Sequence, residues 1–389
     1  MPDAVLALNA GSSSIKFALF EIAGTPRRIA RGEIEGIGTA PHFVARNAEG
    51  TVIGERRWPD ASVGHEALLG GLLEWVDAHL AGDTLVAVGH RVVHGGRDFA
   101  GPALLDDKVL QALDLLTPLA PLHQPHSLSP VRAIMAVRPG LPQVACFDTS
   151  FHHTLPAVAT RFALPREYEA EGVRRYGFHG LSYEYIAGVL RQTAPKLAAG
   201  RVIVAHLGNG ASLCALNNGV SIDTTMGFTA LDGLMLGTRC GTIDPGVILY
   251  LLQQKRLPAA EIETLLYQRS GLLGVSGLSS DMRVLLDSST AAAREAVELF
   301  VFRIAREAAA LAGSLGGLDG FVFTAGIGEH AAQIRAAVCT RLAWLGVAID
   351  PGANNADAGR ISAADSRVEV RVIPTDEEAM IVRHTLETL

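Results

Sequence analysis

The fold is decided by two similar stretches, LNAGSSSI at residues 8–15 and LGNGASL at residues 207–213. Each places a turn of small residues between two apolar runs of strand character. The two stretches lie about half a chain apart. Two unrelated Gly-rich hairpins would give a similar pattern, but the shared outline favours a duplicated domain. Each half would then offer one such turn to a shared cleft, and the boundary is predicted around residues 151–156.

The rest of the chain alternates between strand and helix patterns, which is typical of an α/β protein. Strands are predicted at 5–8, 15–22, 86–88, 143–147, 202–206, 213–216, 320–324 and 368–373. Helices are predicted at 62–80, 106–116, 182–190, 291–313 and 329–345. A last helix is predicted to open in a capping box, with Thr375 as N-cap and Glu378 reaching back to it.

The composition indicates a mildly acidic globular protein with apolar material for two domains. Of the 389 residues, 49% are hydrophobic, which excludes disorder for most of the chain. Lys and Arg total 33 against 40 Asp and Glu, a formal net charge of −7. Since no basic run occurs, a nucleic-acid or anionic-membrane partner has no electrostatic basis. An anionic substrate must therefore be bound by a few well-placed cations.

The cysteines and the N-terminus predict a cytoplasmic location. Cys146, Cys214, Cys240 and Cys339 lie far apart, without the paired spacing of zinc sites, and a reducing compartment fits them best. The first residues are acidic where a signal peptide has basic ones, and their apolar run is too short. No stretch approaches the roughly 18 apolar residues of a membrane span.

Gly-rich turns are candidates for phosphate binding because they expose backbone N–H groups. The sequence contains no GxxxxGK[ST] loop, so it is not a P-loop enzyme. Residues 326–331, GIGEHA, follow a predicted strand and nearly match the dinucleotide fingerprint, with Asp350 at about the expected distance. That fingerprint normally occupies the first βα turn of its domain. A nucleotide bound in another way, near a helix N-terminus, is the favoured interpretation.

Cations and imidazoles recur beside glycines at Arg91, His179 and Arg239. A single such residue has an ordinary alternative as a surface arginine or a core histidine. Three together favour one anionic site. Asp148 ends an apolar strand, where a lone carboxylate is often catalytic or linked to a metal.

Two other motifs suggest chemistry but favour structural roles. His123 and His126 have the spacing of a metal pair, yet no Cys or acidic neighbour supports it, so structural hydrogen bonding is preferred. Cys146 could be a thiol nucleophile, but its place in an apolar strand favours core packing.

Taken together, these segments resemble the acetokinase family, within the group that shares the actin, sugar-kinase and Hsp70 fold. Ten motifs occur in the family's order: LNAGSSSIKF, GHRVVHGG, PLHQPH, FDTSFH, RRYGFHG, AHLGNGAS, GTRCGTIDPG, SSDMR, FTAGIGEH and PTDEE. The resemblance implies two duplicated actin-like ATPase domains of the ribonuclease H-like kind, with a nucleotide cleft between them. The expected domains are 1–150, completed by a helix at 376–389, and 151–375 with the nucleotide-binding and dimerisation elements.

The resemblance also implies a homodimer and the reaction ATP + acetate ⇌ ADP + acetyl phosphate, with Mg²⁺ and with Mn²⁺ as an alternative metal. The family's metal positions fall on Asn9 and Glu377, and its catalytic positions on Arg91, His123, Asp148, His179, Asn209 and Arg239. The acyl pocket falls on Val93, Leu122 and Phe178, with Arg91 and Ala230 completing the substrate-binding set. ATP contacts fall on Lys16, His206, Leu207, Gly208, Asn209, Gly210, Asp281, Met282, Arg283, Gly326, Ile327, Gly328, Glu329 and His330.

The chemistry agrees with this assignment. A carboxylate acceptor with a pKa near 4 is already ionised at pH 7, so no strong base is needed, and Asp148 is expected to orient a metal or water. Ala230 stands where many family members have proline, which leaves open a propionate or butyrate kinase. A nucleotide-switched binding protein is opposed by the two arginines, and a dinucleotide oxidoreductase depends only on GIGEHA.

Overall fold

The computed structural model describes residues 3–11, 14–58, 63–80, 82–121 and 123–389. In these ranges the strands are β1 Ala4–Ala10, β2 Ser14–Glu21, β3 Arg27–Glu35, β4 His42–Arg46, β5 Val52–Arg57, β6 Leu85–Val92, β7 Ala103–Leu104, β8 Gln143–Phe147, β9 Arg201–Leu207, β10 Ala211–Asn217, β11 Val220–Thr224, β12 Gly320–Thr324 and β13 Glu369–Val372. The helices are α1 His65–Leu80, α2 Asp107–Asp114, α3 Gln124–Val137, α4 Ala157–Thr160, α5 Arg166–Ala170, α6 Gly180–Thr193, α7 Pro195–Ala198, α8 Pro245–Gln253, α9 Ala259–Gln268, α10 Gly271–Ser276, α11 Met282–Asp287, α12 Ala291–Leu315, α13 Ala325–His330, α14 Ala332–Arg341, α15 Pro351–Asn355 and α16 Glu377–Thr388.

The chain divides into two compact units. The first unit combines Met1–Phe151 with Asp376–Leu389, and the second unit is His152–Thr375. The chain therefore leaves the first unit once and returns to it only for α16. Each unit contains one sheet.

The two sheets repeat one arrangement of five strands. The first sheet has the order β5-β4-β3-β2-β1-β6-β8-β7, and the second has the order β11-β10-β9-β12-β13. In the first unit β3-β2-β1 are antiparallel neighbours and β1-β6-β8 are parallel. In the second unit β11-β10-β9 and β9-β12-β13 repeat that pattern. The predicted fold, a duplicated α/β domain, is confirmed, and both Gly-rich stretches join the first two strands of their sheets.

Helices cover both faces of the first sheet. Alternate residues of β1 and β2, including Leu6, Leu8 and Phe17, pack in one buried cluster with α1 and α3. The opposite face carries α16, which contacts β1, β6 and β8. This close approach depends on Gly89 in β6, because a Cβ atom there would stand 2.3 Å from Thr385 Oγ1 and 2.5 Å from Ile381 Cγ2. The missing side chain lets α16 lie directly on the sheet.

The core of the second unit forms around the 25-residue helix α12. Its buried residues, among them Phe300, Ile304 and Ala308, pack in one cluster with Phe321 and Phe323 of β12. α12 begins at an N-cap, Thr290, whose hydroxyl accepts from the backbone N–H of Ala293. It ends at Gly316 in the left-handed conformation, a common helix stop because glycine has no Cβ to clash.

The eight predicted strands all exist within a few residues of their expected bounds. The hairpins β3–β5 were not predicted, because β5 has no buried residue and β3 mixes charged with apolar positions. The single helix predicted over 329–345 is wrong. The chain breaks at Ala331, where φ is −105° and ψ is 78°, and forms α13, α14 and a 3₁₀ turn at Ala343–Leu345.

Cys146 is a core residue, as predicted, and Cys214 is one as well. Both are fully buried, and burial raises the pKa of the Cys214 thiol to about 12. In the described ranges no helix is long and apolar enough to cross a membrane.

Replacing Gly89 with alanine tests the close packing of α16 on the sheet. We expect Gly89→Ala to lower the free energy of unfolding by about 1–3 kcal/mol, because the new methyl group overpacks the contact with Ile381 and Thr385. The control is Gly70→Ala in α1, where a Cβ meets nothing within 4 Å. That change should raise the free energy of unfolding by about 0.5–1 kcal/mol through helix propensity. Urea denaturation measures the free energy of unfolding of both variants. Equal changes in Gly89→Ala and Gly70→Ala would contradict the close approach of α16 to β6.

Candidate active site

Three polar side chains stand together at the carboxyl edge of the first sheet. Asn9 is near the end of β1, Arg91 near the end of β6, and Asp148 directly follows β8. Because β1, β6 and β8 are parallel, their carboxyl ends meet at one edge. Arg91 pairs in register with Cys146, whose thiol faces the Ile381 carbonyl of α16. The period of two then brings Asp148 to the same face.

Arg91 is held by Asp148 through two hydrogen bonds. Its Nε donates to Asp148 Oδ1 at 2.9 Å, and its Nη2 donates to Oδ2 at 2.5 Å. Nη1 donates to Asn9 Oδ1 at 3.1 Å. Burial alone would lower the pKa of Arg91, but the charges of Asp148 and Glu377 outweigh this and raise it. The guanidinium therefore stays charged, with Asp148 buried beneath it.

Glu377 joins this group from the first residue of α16. Its Oε2 lies 3.8 Å from Arg91 Nε. Burial raises the pKa of Glu377 to about 7, Arg91 and Lys16 oppose the rise, and Asp148 and Glu378 add to it. Burial is the main cause, and the nearby carboxylates of Asp148 and Glu378 are secondary causes.

The predicted capping box is wrong. Asp376, not Thr375, is the N-cap of α16, and its side chain accepts from the backbone N–H of Ala379 at 2.9 Å. Thr375 is the last residue of the second unit, in which its hydroxyl donates to Ser182 Oγ and its N–H donates to Glu329 Oε1. Glu378 is the second helical residue rather than the third, so it does not complete a box.

The first-unit group fits a divalent cation of the Mg²⁺ type. Asn9, Asp148 and Glu377 offer amide and carboxylate oxygens, which are the ligands that Mg²⁺ prefers. Besides its burial, Glu377 has the carboxylates of Asp148 and Glu378 nearby, and a cation would offset their negative charge. In the described part of the chain no cluster of three or more His, Cys, Asp or Glu side chains has the geometry of a metal site.

The second unit positions two histidines beside its own strand ends. His179 precedes α6 in the left-handed conformation, with φ at 58°. Its ring stacks on the ring of His206 at 4.2 Å between centroids. His179 Nδ1 is 2.8 Å from Ser212 Oγ, which also binds the hydroxyl of Tyr183. His206 Nδ1 is 2.9 Å from Ser182 Oγ. Both rings are therefore held by buried serines.

Asn209 and Arg239 lie in two loops that bond to each other. The N–H of Gly237 donates to the Asn209 carbonyl at 3.1 Å. A Cβ on Gly237 would stand 2.1 Å from Asn209 Oδ1, so this position requires glycine. Arg239 Nη1 donates to the carbonyl of Ala230 at 3.2 Å. The predicted acyl-pocket residue Ala230 thus touches the predicted catalytic arginine.

The glycines of GIGEH form a short helix, α13, instead of a loop before one. Ala325 begins it at φ 63°, a strained value for a residue with a side chain. The carbonyls of Gly328 and Glu329 accept from Arg335 Nη1 at 3.0 and 2.7 Å. Arg335 is fully buried and uses its remaining N–H groups on Asn354 and Asp357. This arginine ends α13, which explains the break in the predicted helix.

The remaining predicted residues are placed as follows. Lys16 is exposed on β2 and pairs in register with Asn9, and Val93 is buried just after β6. His123 occupies the N-cap position of α3. Leu122 lies outside the described residues. In the second unit Phe178 and Leu207 are buried, Gly208 and Gly210 flank Asn209 between β9 and β10, and Ile327 and His330 lie in α13.

Two of the predicted positions are also helix caps. Asp281 caps α11 and binds Arg283 at 2.6 Å, while the Met282 side chain is part of the core. Asp350 is the N-cap of α15 and accepts from Ala353 N–H at 2.7 Å, so it does not act as the acidic residue of a dinucleotide site.

Sequence reasoning missed the residues that hold the predicted ones. Ser182, Ser212 and Tyr183 lie on α6 and β10 without any local motif that marks them. Arg335 is one arginine of an ordinary helical pattern, and only its complete burial distinguishes it.

Comparisons with known proteins agree with this geometry. The model of the acetokinase family matches residues 4–383. A relative from Rhodopseudomonas palustris (strain ATCC BAA-98 / CGA009), named acetate kinase, is 56% identical over 99% of this chain and 98% of its own. A solved propionate kinase from Francisella tularensis has a TM-score of 0.93 at 36% identity over 100% of both chains. A solved acetate kinase from Porphyromonas gingivalis has a TM-score of 0.87 at 36% identity over 99% of both. The chain belongs to the acetokinase family.

Proposed function

We propose that this protein transfers the γ-phosphoryl group of ATP to acetate, giving acetyl phosphate and ADP in a reversible, in-line reaction. The observation that carries the proposal is the Arg91–Asp148 pair, a guanidinium fixed by a carboxylate of the chain itself. Membership of the acetokinase family and the 56% identity to an acetate kinase support the same reaction.

The acceptor carboxylate needs a cation rather than a base. It is ionised at pH 7, so the barrier comes from bringing two anions together. Asp148 is unsuited to removing a proton, because both of its oxygens already accept from Arg91. We therefore assign Asp148 the role of orienting Arg91, which in turn binds the acetate carboxylate or the transferring phosphoryl group.

We assign Asn9 and Glu377 to Mg²⁺, or Mn²⁺ in its place. When bound there, the cation would supply neutralisation of the negative charge that develops during transfer. Asn9 and Glu377 present oxygen atoms on the same face as Arg91, so the chain can hold the cation beside that guanidinium.

In the second unit His179, Asn209 and Arg239 supply donors to the equatorial oxygens of the transferring group. Burial raises the pKa of Tyr183 well above its usual value, so this phenol keeps its proton. We propose that it donates to Ser212 Oγ and that Ser212 donates to His179 Nδ1. In this arrangement Nε2 of His179 carries the ring proton and can donate to a phosphoryl oxygen, and direct transfer needs no phosphorylated histidine.

The nucleotide is assigned to the Gly208–Gly210 turn, the Asp281–Arg283 cap and α13. Both the turn and α13 expose backbone near glycines, where phosphate or ribose oxygens can approach. Arg335 keeps α13 in place through two of its carbonyls.

We also propose a homodimer through α8 and a cytoplasmic location. No residue of α8 is buried, although its sequence is PGVILYLLQ, and Leu249 and Tyr250 are about half exposed at 52% and 50%. An exposed apolar stretch of this size usually marks an interface. The cytoplasm supplies ATP and keeps thiols reduced, and Cys214, Cys240 and Cys339 carry free thiols.

Formation of acyl phosphate, trapped as the hydroxamate, tests the proposed reaction. We expect acetate-dependent product with wild type, and Arg91→Ala and Arg239→Ala should each lower kcat on the order of 10³-fold. Arg91→Ala should also lower the free energy of unfolding by about 1–3 kcal/mol, because it leaves the buried Asp148 carboxylate unpaired. The control is Arg132→Ala, an exposed arginine paired with Asp114, which should change neither quantity. A kcat within tenfold of wild type in both Arg91→Ala and Arg239→Ala would refute the assignment of these arginines to phosphoryl transfer.

The small side chain of Ala230 leads us to propose that the enzyme also uses propionate as a substrate. Proline has two more ring carbons than the alanine side chain, so Ala230 leaves the acyl pocket roomier than in many family members. One methylene in an apolar pocket is worth about 1–3 kcal/mol, or roughly 10–200-fold. We expect acetate to remain the main substrate and propionate to be used measurably.

Substituting proline tests this directly. Ala230→Pro should lower kcat/KM for propionate more than for acetate. The Ala230 carbonyl that binds Arg239 is retained in proline, so kcat for acetate should fall little. An unchanged ratio of the two kcat/KM values would show that Ala230 does not set substrate size.

The dimer is tested by placing charge on α8. Leu249→Glu with Tyr250→Glu should convert a dimer into monomers in sedimentation velocity, since two desolvated carboxylates disfavour an apolar contact. Leu115→Glu, at an 81% exposed leucine of the first unit, is the matched control and should leave the dimer intact. A monomeric wild type, or a double variant that still dimerises, would refute this interface.

A further inference from the structure

The three acidic residues that open α16 have different partners. Asp376 caps the helix through Ala379 N–H and also binds Nη2 of Arg28. Glu377 instead lies 3.8 Å from Arg91. Because Arg28 and the helix N-terminus both engage Asp376, the next carboxylate along the chain is the one directed to the catalytic group.

A local distortion of the sheet brings Arg28 to this position. Between β2 and β3 the register slips, so that Leu19 pairs with Ala30 but Phe20 pairs with Arg28, leaving Ile29 as the extra residue. Bulges of this kind re-aim side chains. The Arg28 guanidinium carbon lies 5.3 Å from the centre of the Phe20 ring, and Phe20 pairs with Val5 of β1. The bulge thus delivers Arg28 to the sheet face that carries α16.

Stability alone does not account for an arginine here. Its Nε is buried and makes no hydrogen bond to any described group. Leaving a guanidinium N–H unpaired costs free energy that an apolar side chain at this position would avoid. The Arg28 guanidinium is therefore present despite an unfavourable free energy of burial. Its contact with Asp376 suggests the reason for its presence.

We propose that Arg28 and Asp376 form a positioning pair that fixes the first turn of α16, so that Glu377 presents its carboxylate to the metal beside Arg91. The inference rests on the proposed function. Gly89 lets α16 lie on the sheet at Ile381 and Thr385, in the middle and last turns of the helix, whereas the Arg28–Asp376 ion pair lies at its start. The Arg28–Asp376 pair is thus a second contact that fixes the helix, and it lies one residue before Glu377, the proposed metal ligand.

The predicted consequence is a loss of metal affinity more than of turnover. Groups that orient a metal ligand typically change metal affinity 10–100-fold when they are removed. Once metal is saturating, Glu377 is held by the cation itself, so kcat should recover. A merely structural role would instead lower the free energy of unfolding and leave metal binding unchanged in the folded protein.

The experiment measures binding of Mn²⁺ in the presence of ADP, from the EPR signal of free Mn²⁺, for wild type and four variants. Asp376→Asn keeps a capping oxygen but removes the charge that Arg28 binds, and Arg28→Met removes the guanidinium. Both should weaken Mn²⁺ binding about tenfold, with kcat at saturating Mg²⁺ within threefold of wild type and KM for acetate within twofold. Arg28→Lys should restore part of the affinity, because it keeps the charge.

Arg27→Met is the matched control. Arg27 is the neighbouring arginine, paired with Glu21 on the surface and 72% exposed, and its loss should leave Mn²⁺ binding unchanged. The proposal is overturned if wild type binds no Mn²⁺ with ADP, if Asp376→Asn binds it as wild type does, or if Arg27→Met weakens it equally. Asp376→Asn keeps the cap, so its result stands even if Arg28→Met fails to fold. Failure of wild type to form acyl phosphate would refute the proposed function, while the binding comparison still judges the positioning pair.

Discussion

Arg91 and Asp148 bind each other through two hydrogen bonds at the edge of the first sheet, and the surrounding architecture satisfies what that contact requires. A buried carboxylate is tolerated only with a partner, and the planar guanidinium meets both of its oxygens. For the two to meet, β6 and β8 must be parallel neighbours ending at one level. The remaining nitrogen of the guanidinium, Nη1, donates a hydrogen bond to Asn9 Oδ1 of β1. Glu377 reaches the group only because the chain returns for α16, which explains why the first unit is discontinuous in sequence.

The two units use the same five-strand core for different chemistry. At the carboxyl edge of the first sheet, His90 and Leu8 are register partners, and Asn9 and Arg91 follow them. At the matching place in the second sheet, Thr324 and His206 are partners, followed by the Gly208–Gly210 turn and α13. The strand ends of the first sheet carry Arg91, Asp148 and Asn9, whereas those of the second sheet carry His206 and the Gly208–Gly210 turn. The same scaffold therefore presents different side chains at the two edges, which the proposed function assigns to the metal with the carboxylate and to the nucleotide.

The features that the sequence predicted well are those with a local cause. Apolar runs beside Gly-rich turns identified the strands. Arg91 was recognisable as a cation beside glycines, and Asp148 as a lone carboxylate at the end of an apolar strand. Features with a distant cause were missed or misassigned. The cap of α16 was assigned to Thr375, since Thr and Asp are both good N-caps, whereas Asp376 is the residue that Arg28, 348 positions earlier, holds in place. The helix predicted across Ala331 is interrupted because Arg335 takes the carbonyls that would continue it. A one-residue bulge such as the one at Ile29 has no signature in composition or period.

The central claim is that Asp148 and Asn9 form a cradle that places a guanidinium for phosphoryl transfer, and chemical rescue of Arg91→Ala tests it most directly. Free guanidinium ion should restore a saturable part of the acetate-dependent acyl phosphate formation, because both oxygens of Asp148 remain to bind it. The double variant Arg91→Ala/Asp148→Asn should show no such rescue. Absence of rescue with Asp148 intact, or equal rescue in both variants, would contradict the account.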